Sequence, residues 1–565
     1  MKRLGPLVAV ALAGACATQH PSAPVDREAT VALALPQGAL NPVGYTSVDI
    51  VLHEPGGDVA LTAQIDIDNG TFDLGTLTPV DGTAIEATLR SDTGAVVGYG
   101  RVSGATINDN EIVKIPVLRP IAYIAGSADD DQRPGPEWTV EPATFSDLST
   151  GAPPDGKTVL ASPSALMVAA GSKLFMITQA VDGTTGAATG MAQVVPVSVA
   201  DHSIGTPFDP MLAGAVVDAA GTDDGNHLVI ATASELYALD ISTDMTTGAV
   251  TVVATMLAAG SFSHVAILTT DTGEVDAIAI KNRAPTTGTC ASTAELWWAQ
   301  LAGPSLAGAA PAAHMVATGG FSDVAADRGQ AYYIDACKRE LGTVTATATA
   351  MTRSLTAIGS ATAEPTMLAV SNGQAYIGIE DQPATTSLAV LPVVASPPSG
   401  SGGGSDAGGG SGTAGGSGAT DSTDTRMLWT EGAQQVVEAA NFAGVQRQLD
   451  ATSVMIDHLE IGAGGDYVAL TTSAHFHGSA VKAANFPDLT IDADELRVFD
   501  ASTGGSVERY RSFCAGFFNS MSGNDITAWQ CAQTPGQTAP APGPDNSPVT
   551  YDHHIASMTF LFGKK

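Results

Sequence analysis

His475-Phe476-His477 is the pair best suited by type and spacing to do chemistry. On a β-strand, residues i and i+2 share a face, so two imidazoles there can approach one transition-metal ion. His458 and the pair His553-His554 are the further candidate ligands, provided a closed ring of strands brings them near. Such a site needs three or four ligands in register; the alternative is surface-loop histidines. Asp129-Asp130-Asp131, in a Gly/Pro-rich connection, offers oxygens to Ca²⁺, against the alternative of a solvated acidic turn. Trp297 and Trp298 are adjacent, so on a strand they point to opposite faces. One is expected in the core, and the other is a candidate to stack on a sugar or anchor a partner; packing under a loop is the bland outcome.

Recognised catalytic motifs are missing. The chain has no G-x-S-x-G, no H-E-x-x-H and no complete EF-hand. Its one G-x-G-x-x-G, Gly410 to Gly415, follows no strand and opens no helix, and so reads as an accident of composition. With 24 Lys+Arg against 58 Asp+Glu, the formal net charge is −34. Nucleic acid is excluded as a partner, because phosphate binding needs clustered cations.

The elements that must position these residues read as β structure. Aromatics are 5%, whereas glycines number 62 and prolines 32, which suits short strands and frequent turns. From Ala29 to Leu118, alternating runs such as Val48-Asp49-Ile50-Val51-Leu52 and Ile85-Glu86-Ala87-Thr88-Leu89 are separated by Asn69-Gly70, Asp81-Gly82 and Thr93-Gly94. About seven short strands in so short a stretch predict a β-sandwich. From Arg119 onward the spacing changes and the chain repeats itself. Gly329-Gln330-Ala331-Tyr332 is answered by Gly373-Gln374-Ala375-Tyr376, and Glu235-Leu236-Tyr237-Ala238-Leu239-Asp240 by Glu495-Leu496-Arg497-Val498-Phe499-Asp500. Units of roughly 45–60 residues, each with four short strands, predict propeller blades, since a lone blade cannot bury both faces. Six or seven units are expected, seven being preferred, with the run Ala556 to Phe562 closing the ring against Ile121-Ala122-Tyr123-Ile124. Ser396 to Thr425 is nearly all Gly, Ser, Pro, Ala, Asp and Thr. It is predicted to be a disordered insertion between strands of the propeller, which spans residues 119–565.

Met1-Lys2-Arg3 and the apolar run from Leu4 to Ala15 form a secretory signal, too short to span a bilayer. The run ends in Leu12-Ala13-Gly14-Ala15-Cys16, which resembles the lipobox of bacterial lipoproteins, although Ala13 stands where Leu is usual. The resemblance implies that residues 1–15 are removed, that Cys16 carries lipid, and that residues 16–28 tether the protein to a membrane. Ala17 is not Asp, so by the same analogy the protein is expected at the outer membrane. The segment Asp68 to Leu74 loosely resembles Ig-like or prealbumin-like modules of exported proteins, and the repeats look like a degenerate β-propeller.

Setting Cys16 aside leaves Cys290, Cys337, Cys514 and Cys531. An oxidising compartment favours using all four, and Cys290–Cys337 with Cys514–Cys531 closes the smaller loops; buried free thiols are the alternative. Two functions fit. One is a lipid-anchored envelope protein whose propeller face binds a protein, glycan or small ligand, with no firmly implied cofactor. The alternative is a periplasmic or surface hydrolase or oxidoreductase with a divalent metal in the central channel.

Overall fold

In a computed structural model, the chain is described at residues 8–11 and, with breaks in the connecting segments, at 30–562; the longest breaks beyond residue 30 are 394–424 and 531–550. All regular structure among these residues is β-strand.

The N-terminal part is two packed sheets. Val8–Ala11, Thr30–Ala34 and Ile112–Pro116 make one; Thr71–Phe72, Val59–Asp66, Tyr45–His53, Thr83–Ser91 and Val96–Ala105 make the other. Alternation sends Val48, Ile50 and Leu52 inward beside Ile85, Ala87 and Leu89, where they meet Leu33, Ile115 and Val117 of the facing sheet. This is the expected β-sandwich. Val8–Ala11 falls inside the expected signal segment, so processing at Cys16 would leave Thr30–Ala34 paired with Ile112–Pro116 alone.

The rest is a ring of blades. Five four-stranded antiparallel sheets follow in chain order, with inner strands Ala165–Ala170, Val216–Gly221, Phe262–Thr269, Phe321–Asp327 and Glu364–Ser371; these are blades 1 to 5. Blade 6 is Val445–Gly462, Tyr467–Ser479, Leu489–Asp500 and Ser506–Arg511. Blade 7 takes its inner strand, Tyr551–Phe560, from the C-terminal end of the chain and its other strands, Ile121–Asp129, Glu137–Thr144 and Thr158–Leu160, from the beginning of the repeat region. Each inner strand packs on the next, and that of blade 7 packs on that of blade 1, so the circle closes at seven. Met558 pairs with Ile124, Thr559 with Tyr123 and Phe560 with Ala122, joining the two ends of the chain in one sheet.

Burial follows the same plan. Leu174, Phe175, Met176 and Ile177 in blade 1 alternate between the two faces of their sheet. Separate apolar clusters fill the gaps between blades 1 and 2, 2 and 3, 3 and 4, 4 and 5, and 5 and 6. A sixth cluster joins blades 6, 7 and 1 to Val96, Tyr99 and Leu118 of the sandwich. Blades 6 and 7 are further tied by parallel pairing of Ile491–Ala493 with Tyr551–His553. In blade 5, Leu388 pairs with Trp429 and Ala389 with Met427, so residues 394–424 connect neighbouring strands of one sheet. That segment, with Gly410 to Gly415, lies outside the described residues.

Candidate functional site: the channel of the ring

Six of the seven inner strands carry a register shift beside the channel: Val216/Asp218, Phe262/His264, Phe321/Asp323, Pro365/Met367, Ile456/His458 and Ile555/Ser557. A β-bulge re-aims the side chains around it. Here polar groups at or near the bulges reach the next blade. Asp218 accepts the N–H of Ala219 (2.9 Å) on its own strand and that of Val265 (3.0 Å) on blade 3. Asp323 does the same with Val324 and, on blade 5, Leu368, both at 2.8 Å. Ser557 accepts the N–H of Met167, and Glu380 that of Ile456 at 3.2 Å. These bonds satisfy backbone donors that face the channel and have no strand partner on that side. Between the two aspartates stands His264, its Nδ1 3.4 Å from Asp323 Oδ1 and 3.9 Å from Asp218 Oδ2.

The inner strands enclose a cavity of about 440 Å³. At the strand ends it meets the sandwich, and Arg101 from the strand Val96–Ala105 lies in its lining. The guanidinium is 3.0 Å from Glu86 Oε1 and 3.4 Å from Asp223 Oδ2, and the residue is 6% exposed. Burial opposes its charge, but Asp223 and Glu86 outweigh that and hold its pKa above the ordinary range. Tyr99, two residues earlier, stacks edge-on against Phe562 at 6.0 Å; burial and then Glu86 push its phenol well above its usual value. Gly171 lets the blade 1 turn come in beside this junction: at φ +56°, a Cβ there would sit 1.9 Å from the Asp223 carbonyl oxygen. At the strand starts the lining is open instead, with Met455 45% exposed and Val217 nearly as much. The channel is blind at the sandwich and open opposite.

The structure separates the sequence candidates. His458 lines the channel, pairing in register with Thr471. His475 and His477 lie on the neighbouring strand Tyr467–Ser479, opposite Ser453 and Asp450, where blade 6 extends beyond the channel. Backbone register places His475, Asp492, Asp552 and Asp129 in one row across four strands, and His553 beside Ala493 and Ala128. Asp130 and Asp131 lie outside the described residues. Among the described residues, no three His, Cys, Asp or Glu side chains come together to hold a metal ion.

Trp297 and Trp298 point to opposite faces of their sheet. Trp298 is in the core between blades 3 and 4. Trp297 packs edge-on against Phe262 (5.9 Å), donates to Glu295 Oε2 (2.9 Å) and lies under Lys281 Nζ (4.8 Å). The cation and the apolar neighbours pack against this ring, which is half-buried. Cys337 is disulfide-bonded; Cys16, Cys290, Cys514 and Cys531 lie outside the described residues.

Asp218, His264, Asp323 and Arg101 were not singled out by motif or spacing. A signal for two of them exists: Phe262-Ser263-His264-Val265-Ala266 and Phe321-Ser322-Asp323-Val324-Ala325 are one repeat with the channel residue exchanged.

No protein-family model matches the chain, and no curated protein matches it. Among solved structures it is similar to a protein from Lactobacillus plantarum, at 9% identity over 78% of this chain and 99% of that one, with a TM-score of 0.34. It is also similar to a putative 6-phosphogluconolactonase from Bacteroides fragilis (12% identity, 68% of this chain, 93% of that one, TM-score 0.33). A third is apo AztD from Citrobacter koseri (9%, 62%, 93%, TM-score 0.30). Similarity at this level carries no argument, and the architecture rests on the strand pairing described above.

Proposed function

We propose that the chain is a lipid-anchored protein of the cell envelope that binds a ligand in the channel of its propeller. The observation that carries the binding half is the blind cavity: a closed ring, a polar side chain wedged into one mouth, and a solvent-facing mouth opposite. Pockets of this volume with apolar walls and a few directed polar groups suit small molecules. The polar groups of the bulges are held by backbone donors, which fixes the shape of the pocket before any ligand arrives.

The anchoring half rests on the lipobox-like run ending at Cys16. Envelope export also suits a bridge between Cys337 and Cys290. Cys337 and the segment carrying Cys290 both connect second to third strands, in neighbouring blades 4 and 3.

The test is a thermal-shift screen of the mature protein against small metabolites, repeated on Val217→Trp, which narrows the open mouth. A ligand that raises Tm in the parent and not in the variant is the expected result. Catalytic turnover of that ligand by the parent would overturn the binding reading. For the anchor, intact-mass analysis should find acyl chains on Cys16, and Cys16→Ser should release the protein from membranes; an unmodified Cys16 in the membrane fraction contradicts it.

A further inference from the structure

Resting on the binding reading, we infer that the ligand of the channel is a small organic cation, an amine carried on a short hydrocarbon body. The lining holds six carboxylates, Asp218, Asp223, Asp327, Glu380, Asp457 and Glu460, against the two guanidinium groups of Arg101 and Arg283. That is an excess of four negative charges with the imidazoles of His264 and His458 neutral. Low-dielectric walls focus such a field into the cleft and raise the local concentration of cations.

A carboxylate excess alone would fit any cation. The second observation is Thr366, at the bulge of blade 5. It lines the cavity and is 2% exposed, and among the described residues its hydroxyl has no hydrogen-bond partner. A buried hydroxyl without a partner is costly, and an N–H donor in the channel would satisfy it. Asp457, on the neighbouring blade, accepts from the Ser473 hydroxyl through Oδ1 (3.1 Å). Glu380, the carboxylate that caps Ile456 N–H, lies on the second strand of blade 5.

Two features favour an organic cation over a bare metal ion. The carboxylates are spread around the ring, and among the described residues no three ligands converge. The walls between them are apolar: Val217, Met367, Met455, Ile456 and Leu459. A hydrated ion gains nothing from that surface, whereas the methylenes of an alkylamine do.

Isothermal titration of the intact mature protein with putrescine, spermidine and choline, alongside Ca²⁺ and Zn²⁺ alone and neutral 1,4-butanediol, tests this. At least one amine should bind, with affinity falling tenfold or more in Asp457→Asn and again in Thr366→Val. Thr366→Val is nearly isosteric and removes an unsatisfied hydroxyl, so on its own it should leave the fold intact and Tm equal or higher. Amine binding unchanged by both variants would overturn the inference. So would binding confined to the metals. Binding of a neutral molecule, weakened by Thr366→Val, would overturn the cation while leaving the channel as a binding site. Failure of every probe in a protein that is stabilised by nothing in the thermal screen would remove both readings.

Discussion

The inner and outer strands of the blades solve one problem in opposite ways. Both are sheet edges, and both carry β-bulges. On the inner edge the bulges turn Asp218, Asp323 and Ser557 toward the next blade, where they take up backbone N–H groups. On the outer edge, blades 2 to 5 have bulges at equivalent places, beside Leu236, Leu296, Leu341 and Leu388 of the third strand. There the neighbouring outer-strand residue is each time a methionine: Met256, Met315, Met351 and Met427, all exposed. An inner edge faces its equivalents around a narrow circle and can be satisfied by them. An outer edge faces water, and a bulge there twists the strand away from further pairing. The same backbone device therefore stores stability on one side of the blade and prevents association on the other.

The contrast predicts a steep gradient of mutational cost from the channel outward. Asp323→Ala should cost the most, about 4 kcal/mol in urea denaturation, since it strands two buried N–H groups and removes the carboxylate beside His264. Asp323→Asn, which keeps an acceptor, should cost clearly less. Arg101→Met should cost about 3 kcal/mol, because it leaves Asp223 and Glu86 with a buried uncompensated charge. Proteolysis of the sandwich should accelerate in that variant; an unchanged cleavage rate would mean that Arg101 does not hold the sandwich on the ring.

Asp276, in the second strand of blade 3, is intermediate. Burial, then Glu274, raises its pKa from 3.8 to about 6, with the Trp298 hydrogen bond opposing. Because the folded value is the higher one, its favourable contribution is complete below about pH 4 and is lost as pH rises through 6. Asp276→Asn should therefore gain on the order of 1 kcal/mol at pH 7 and nothing at pH 3.5, the gain being reduced by solvent screening. At the rim, Met351, 58% exposed, should tolerate Lys within about 0.5 kcal/mol, as should Met256 and Met315. A large loss at any of these three would show that the outer edges are packed against something.

The ring was legible in sequence because its units repeat short strand–glycine–strand patterns, as at Leu166 to Ile177, and because the C-terminal run was apolar enough to need a partner. The pairing of Met558 with Ile124 is the outcome of that reading. The channel was not legible. A bulge breaks the alternation by one residue, so Asp218 and Asp323 stand where a period-2 reading assigns no special direction. His475 and His477 drew notice by type, yet the histidine between the carboxylates is His264, which has no second histidine near it in the chain. Arg101 could not be found at all from one sequence, since its role depends on how the sandwich meets a ring built from residues far along the chain.

The strands form a single ring clasped by both ends of the chain, and the segment 394–424 joins neighbouring strands within its blade 5. Proteolytic cleavage inside that segment, followed by a native sizing column, tests it directly. Because blades 4, 5 and 6 bury each other's faces and blade 7 joins the two ends, the fragments should elute together at the mass of the intact protein and unfold in one transition. Elution as two separately folded fragments, each with its own melting transition, would contradict the closed ring and the blind channel that depends on it.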